Sequence, residues 1–177
     1  MNCIGDYMKI IKFRLANIGD LNKINQLFEK VVYDIQNNKK INMWNTEYPF
    51  CEFENDIKRK EMYILEMENE IIGSFVLSEH DDPEYNVINW TFNNKKWFSI
   101  NRLVILPSEQ GKGYAKMAME YICEYATKNK YEVIRLVVHK DNIYAITLYE
   151  KYGFRKIENS QWIIYDKIFW GYEKEIR

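Results

Sequence analysis

The hydrophobic period of the chain changes at Gly113, and this change most constrains the fold. Before it, three short segments rich in Ile, Val, Phe and Tyr predict strands: EMYILEME, NEIIGSFVLSE and WFSINRLVIL. After it, apolar residues recur every three or four positions from Ala115 to Ala126, as in an amphipathic helix. The nearly continuous apolar run YEVIRLVVHK follows, which is typical of a strand at the centre of a sheet. An antiparallel meander that continues into strands alternating with helices is therefore expected.

The other segments complete this alternation. MKIIKFRLA predicts a first strand, and DLNKINQLFEKVVYDIQNN predicts a helix with Asp20 as its N-cap. ENDIKRKE indicates a short second helix, and HDDPEYNVINWTFNNKK a polar, irregular excursion. NIYAITLYEKYGF predicts a helix that ends at Gly153, and WIIYDKIFWGYEKEI predicts closing strand. The order β α α β β β α β α β β indicates an α+β domain with a mixed sheet, spanning residues 1–177 as one domain.

Composition excludes several classes of protein. The 25 basic and 26 acidic residues give a net charge of -1, which predicts no nucleic-acid partner and no anionic membrane surface as partner. The sequence contains no apolar run long enough for a membrane helix, and its first residues lack the apolar run of a secretory leader, so neither a membrane span nor a leader is expected. Cys3, Cys51 and Cys123 are widely separated, so reduced thiols in a cytoplasmic protein are expected, without a disulfide framework or a metal site.

The glycine-rich turn PSEQGKGYA follows a predicted strand and opens a helix. Free backbone N–H groups at such a helix N-terminus bind anions, above all phosphates. Gly111 and Gly113 carry no Cβ that would keep a ligand from the backbone, and Lys112 adds a cation. The turn matches neither a Walker A loop nor a dinucleotide-binding GxGxxG motif. Taken alone, it is better explained as an ordinary strand-to-helix turn without a ligand.

Two motifs in the second half resemble those of the GNAT superfamily of N-acetyltransferases. LVILPSEQGKGYAKMAM is similar to the acyl-CoA signature Q/R-x-x-G-x-G/A, filled by Gln110, Gly113 and Ala115. NIYAITLYEKYGF resembles the family's N-x-x-A-x-x-L-Y-x-x-x-G-F helix, filled by Asn142, Ala145, Leu148, Tyr149, Gly153 and Phe154. The two motifs occur in the family's order. The resemblance implies a GNAT-like, mostly antiparallel mixed sheet with a splayed central strand pair, flanked by helices.

The resemblance also implies a cosubstrate, acetyl-CoA, and the residues that bind it. The backbone of the turn would bind the pyrophosphate, which assigns Gln110, Gly111, Lys112, Gly113, Tyr114 and Ala115, with Lys116 nearby. The pantetheine arm would pair with the splayed fourth strand at Leu103, Val104 and Ile105, and Asn142 would reach it from across the gap. The N–H of Leu103 or Val104 would stabilise the developing oxyanion.

Tyr149 is the candidate general acid, because the family's tyrosine at this helix position protonates the departing thiolate. Without the motif, a packed helix aromatic like Tyr152 would be the simpler interpretation. The general base is left open. Strand position makes four residues candidates: Glu66, Glu79, His80 and Glu109.

For the acceptor, the segment INMWNTEYPF is the candidate, and the predicted substrate-binding residues are Trp44, Tyr48 and Glu79. Glu47 or Glu52 could attract the charge of an amine. A small-molecule amine is the predicted substrate, and a homodimer is possible. The alternatives are a protein N-terminal or lysine acetyltransferase, a non-catalytic acyl-CoA-binding module, and a cysteine hydrolase using Cys51 or Cys123.

Overall fold

Strands and helices alternate in the computed structural model in the order that the hydrophobic pattern predicts. The structure describes residues 10–80, 87–164 and 166–176. Its seven strands are β1 (Ile11–Leu15), β2 (Met62–Met67), β3 (Glu70–Ser78), β4 (Trp97–Ile105), β5 (Val133–His139), β6 (Arg155–Ile164) and β7 (Lys167–Glu175). Its α-helices are α1 (Leu21–Asn37), α2 (Phe53–Lys58), α3 (Tyr114–Lys128) and α4 (Ile143–Lys151). Cys3 and residues 81–86 of the predicted excursion, which spans residues 80–96, lie outside the described residues.

Two hydrophobic cores lie on opposite faces of the sheet. On one face, α1 buries the apolar positions that the sequence predicts, from Ile24 to Ile35, together with Phe53 and Ile57 of α2. On the other face, α3 buries Ala118, Met119, Ile122 and Ala126, and α4 contributes Tyr149. Burial of each aliphatic side chain contributes roughly 1.5–3 kcal/mol to the free energy of folding. The packing of the helices on both faces of the sheet is therefore strongly stabilising.

The residue predicted as the N-cap of α1, Asp20, is found at that position. Asp20 occupies the position before the helix, but its carboxylate makes no capping hydrogen bond to α1. It accepts instead from the backbone N–H of Asn17 at 2.8 Å and from both terminal nitrogens of Arg14. A charged guanidinium is a stronger donor than a helix N–H, and its position on β1 directs the carboxylate towards the sheet.

The strand order in the sheet is β1-β2-β3-β4-β5-β7-β6, and only β4 and β5 run parallel. These two central strands pair over three positions, from Trp97 opposite Val133 to Ser99 opposite Arg135. β5 pairs with β7 along its whole length, over seven positions. The remaining lengths of β4 and β5 therefore diverge, which is the splayed central pair that the resemblance implies.

Candidate active site

A cavity of about 540 Å³ lies where β4 and β5 diverge. Ile100 to Leu103 of β4 form one wall, and Val137 to His139 of β5 with Asn142, Ala145 and Tyr149 form the opposite wall. The segment between α1 and α2, from Met43 to Glu52, and the β6–β7 hairpin enclose the space. Their lining side chains include Trp44, Tyr48, Trp162, Lys167 and Phe169. Such a volume holds a small organic molecule, and most of its walls are apolar or aromatic.

A β-bulge in β4 opens this wall of the cavity. Ser74 of β3 pairs with Val104, and Val76 pairs with Asn101, so Arg102 and Leu103 both lie opposite Phe75. Arg102 has a positive φ of 53°. A bulge leaves its extra residue outside the ladder, so backbone groups here are not committed to β3. On the other side, the pairing with β5 covers only Trp97 to Ser99, before the bulge.

The glycine turn lies directly after β4, at the N-terminus of α3. Gly111 and Gly113 have φ angles of 77° and 89°, and a Cβ at either position would meet no atom within 4 Å. Glycine is therefore required by the backbone conformation, and the space above the turn is open. α3 begins at Tyr114 with no side-chain cap. The first N–H groups of a helix have no partner within the helix, and such groups are what an anion site needs.

A lysine from another element lies beside the turn. Lys39, just after α1, donates to Oε1 of Gln110 at 2.7 Å and pairs with Asp34 at 2.9 Å. Gln110 in turn donates to the carbonyl of Ile105 at 3.0 Å, which fixes the turn against the end of β4. Lys112 pairs with Glu109 at 3.0 Å. Sequence reasoning missed Lys39, because nothing in the sequence places the end of α1 near residue 110.

Tyr149 and Asn142 reach the cavity from α4. Tyr149 is 7% exposed, and burial raises the pKa of its phenol above the ordinary value. It therefore keeps its proton at neutral pH. Asn142 is the N-cap of α4 and accepts from the N–H of Ala145 at 3.3 Å. Its amide nitrogen lies 3.7 Å from the sulfur of Met43, so the segment after α1 contacts the start of α4 across the cavity.

His139 and Cys51 also line the cavity. The side chain of His139 is only 6% exposed. Burial lowers its pKa, and its Nδ1 accepts from the N–H of Asp141 at 3.3 Å. Partial burial and the neighbouring carboxylate of Glu52 raise the pKa of Cys51, which disfavours a thiolate nucleophile. This weakens the cysteine hydrolase alternative.

Comparison with known proteins decides the family. Residues 30–154 match the model of the "Acetyltransferase (GNAT) family". The chain belongs to this family. No curated protein sequence matches the chain.

Solved GNAT structures have the same fold. An acetyltransferase from Streptococcus agalactiae 2603 is 18% identical, with a TM-score of 0.79 over 94% of this chain and 96% of that chain. One from Listeria monocytogenes 4b F2365 is also 18% identical, with a TM-score of 0.75 over 98% and 99%. The PaiA N-acetyltransferase of Thermoplasma acidophilum, in complex with coenzyme A, is 17% identical, with a TM-score of 0.69 over 94% and 99%.

In this GNAT chain, some predicted site residues lie away from the cavity. The carboxylate of Glu79 accepts from the hydroxyl of Tyr131, at the closed end of the β4–β5 pair, and does not line the cavity. Val104 and Ile105 bury their side chains in the two cores, so only their backbone is placed for binding. Tyr114 packs against one core, with its hydroxyl 3.4 Å from the sulfur of Met67.

The other candidate bases lie outside the cavity lining as well. Glu66 binds Arg14 at 2.8 Å, Glu109 binds Lys112, and His80 faces Glu61 at 3.2 Å. Glu47 and Glu52 do line the cavity, beside Trp44 and Tyr48, where the sequence placed the acceptor. Among the described residues, no helix is long and apolar enough to cross a membrane. Within those same ranges no cluster of His, Cys, Asp and Glu has the arrangement of a metal site.

Proposed function

We propose that this protein is an acetyl-CoA-dependent N-acetyltransferase that acts on a primary amine of a small molecule, with residues 1–177 as one catalytic domain. The observation that carries the proposal is the cavity between the diverging strands. The bulge of β4, Asn142 and Tyr149 all line this cavity. The glycine turn follows β4 in the chain, outside the cavity lining. Each of these features supplies one requirement of acyl transfer from a thioester of CoA.

Binding of acetyl-CoA is assigned to backbone groups. The N–H groups from Gln110 to Ala115 would hold the pyrophosphate, with Lys112 and Lys39 as neighbouring cations. The pantetheine arm of acetyl-CoA is rich in amides. It suits the edge of β4 that faces β5, at Leu103, Val104 and Ile105, since a strand edge binds extended chains by main-chain hydrogen bonds. Asn142 has its amide at the opposite wall, where it could bind the same arm.

Acetyl-CoA, when bound, supplies an acetyl group activated as a thioester, which the amine nitrogen takes by direct attack. The N–H of Leu103 or Val104 is the candidate donor to the carbonyl oxygen as it gains negative charge. When the carbon–sulfur bond breaks, the hydroxyl of Tyr149 gives its proton to the leaving sulfur. The proton that the amine loses passes to a base that we do not assign.

Burial of Tyr149 supports its role as the acid. A phenol in water has a pKa of about 10, and that of Tyr149 is raised because its surroundings disfavour the phenolate. The same surroundings disfavour the CoA thiolate. The pKa values of the phenol that donates the proton and of the thiol that receives it are therefore raised together, and the proton can still move. An exposed tyrosine would gain nothing from this match.

The enclosed shape of the acceptor side favours a small amine over a protein substrate. Aromatic side chains form its walls, and Glu47 and Glu52 lie where they would attract a protonated amine before it binds. A protein N-terminus or lysine would need an open groove between the α1–α2 segment and the β6–β7 hairpin. A non-catalytic acyl-CoA-binding module on the same fold would need the ring of Tyr149 for packing, but not its hydroxyl.

The test is a thermal shift with acetyl-CoA, CoA and ATP at matched concentrations, followed by an amine screen for thiol release. At a hundred times the dissociation constant a ligand adds about 2.7 kcal/mol, which for a domain of this size is a rise in Tm of roughly 5–10 °C. Stabilisation by acetyl-CoA and CoA, well above that by ATP, is expected. Absence of any shift on folded protein would refute the CoA site and the enzyme together.

A further inference from the structure

Arg102 occupies the bulge of β4, where its backbone and side chain are both unusual. Its φ of 53° lies in the left-handed region, although it is not a glycine. Such a conformation costs about 1–3 kcal/mol and persists only where the surroundings maintain it. The side chain is nevertheless buried, at 9% exposure, and lines the cavity.

Its guanidinium joins three elements. Nη2 donates to Oδ1 of Asp56 on α2 at 2.7 Å, and the Asp56 side chain is 2% exposed. Nη1 donates to the hydroxyl of Tyr48 at 3.2 Å, in the segment that encloses the acceptor side. One side chain therefore connects the bulge of β4, the helix α2 and the acceptor segment.

An alternative role for Arg102 is to bind an anionic group of the acceptor directly. The ion pair with Asp56 argues against it. An anion that took over the guanidinium would leave the Asp56 carboxylate buried without its partner, which is strongly destabilising. The guanidinium also has two of its donor nitrogens already bound to protein groups. Its contacts fix the protein around the cavity instead of offering a free charge to a ligand.

We propose that Arg102 is a positioning residue of the acyl-transfer site. Held by Asp56, it keeps the bulge in the left-handed conformation that presents the β4 backbone at Leu103 to the cavity. Through Tyr48 it ties the acceptor segment to the same point. The acyl-transfer part of this inference rests on the proposed function, whereas its effect on CoA binding is measured without any turnover.

The experiment compares Arg102→Gly with Arg102→Ala. Both remove the guanidinium, but only glycine adopts a positive φ without strain. Arg102→Gly is expected to bind CoA within about threefold of the native protein, because its backbone can keep the bulge; Arg102→Ala is expected to bind it at least about tenfold more weakly. Calorimetric titration with CoA measures this, and kcat with the amine found by the screen should separate the two variants in the same order.

Asp56→Asn tests the anchor. In the native background it should weaken CoA binding, because Arg102 loses the carboxylate that holds it. In the Arg102→Gly background the same change should have no further effect, since nothing remains to be anchored. Arg14→Ala is the matched control. Arg14 lies on β1, outside the cavity, and its guanidinium pairs with the carboxylates of Asp20 and Glu66. Its removal should lower stability without changing CoA affinity.

Equal CoA affinities for the glycine and alanine variants would overturn the inference, as would an Asp56→Asn effect of the same size in both backgrounds. A rise in amine KM alone, with CoA affinity and kcat intact, would instead make Arg102 an acceptor ligand. If Arg102→Ala does not fold, the comparison of Asp56→Asn in two backgrounds still decides the matter. If native protein binds CoA but transfers acetyl to no amine, the proposed function fails while the CoA titrations still test Arg102.

Discussion

The two ends of the β4–β5 pair differ in structure: at one end the strands are hydrogen-bonded to each other, and at the other they separate around the cavity. At the closed end, Trp97 to Ser99 pair with Val133 to Arg135, and Phe98 and Ile134 are buried in the core. At the open end the strands separate, and their backbone and side chains line the cavity. The change occurs within a few residues, at the bulge that Arg102 occupies.

This difference separates stability from binding along a single pair of strands. Residues of the closed end contact many buried side chains and should contribute to folding. Residues of the open end lie beyond the paired positions of β4 and β5, line the cavity, and should contribute to ligand affinity and turnover. Substitutions at the two ends can test whether the separation is real.

The largest effect is expected at the closed end. Phe98 is 1% exposed and packs edge-on against Tyr125 and Tyr131, with ring centroids 5.6 and 4.8 Å apart. Phe98→Ala should lower the free energy of unfolding by about 3–5 kcal/mol, measured by urea denaturation. Leu103, at the open end, is half-buried. Leu103→Ala should therefore cost less stability than Phe98→Ala while weakening CoA binding. A reversed pattern would break the comparison.

Removal of the Tyr149 hydroxyl should affect only turnover. Tyr149→Phe is expected to lower kcat about 100-fold, the usual contribution of a positioned proton donor, with CoA affinity unchanged. Tyr152→Phe is the matched control, because that hydroxyl binds the carbonyl of Lys116 outside the cavity. Since burial raises the pKa of Tyr149, its proton should not be lost below about pH 10. Native kcat should therefore show no fall from this group up to that pH, and a fall that is absent in Tyr149→Phe would contradict the assignment.

A smaller effect is expected at the glycine turn. Gly113→Ala forces a Cβ into a positive φ and should weaken CoA binding by about 1.4 kcal/mol, or tenfold, by displacing the N–H groups of the turn. Gly153→Ala imposes the same strain at the end of α4, where φ is 82°. The two variants should lose similar stability, and only Gly113→Ala should lose CoA affinity. Equal affinities would exclude the turn from the binding site.

The smallest effect concerns the acceptor side. Glu52→Gln removes one carboxylate from the cavity and should raise the KM of a cationic amine about threefold, most clearly at low salt. Glu54→Gln on α2 is the control, because that carboxylate pairs with Lys58 at the surface. An unchanged KM, or an equal rise in both variants, would show that Glu52 does not attract the amine.

Much of the fold was predictable because hydrophobic period reports which face of an element is buried. It predicted α1, α3, β5 and the antiparallel meander. Within that meander, Glu68 and Asn69 connect β2 to β3, and both have the positive φ of a type I′ turn. The position of β7 between β5 and β6 was not predicted. Strand order depends on contacts between distant segments, which the local pattern does not contain.

Position around the cavity was predictable for residues that belong to a motif. Asn142 and Tyr149 follow from the helix motif, and both line the cavity. Glu79 was assigned by its position at the end of a strand, and the structure directs it to Tyr131 instead. Arg102 binds Asp56, more than forty positions away in the chain. Lys39 binds Gln110, more than seventy positions away. Contacts of that separation appear only once the chain is folded.

The three-position join between β4 and β5 has a consequence for amide hydrogen exchange. Along β5 every second N–H faces β7, which pairs with it from Val133 to His139. The alternate N–H groups face β4, and beyond Arg135 they have no strand partner there. Protection in the second half of β5 should therefore alternate from residue to residue, with slow amides limited by global unfolding beside fast ones limited only by access of solvent. The site would thus be visible in the exchange rates of a single strand before any substrate is known.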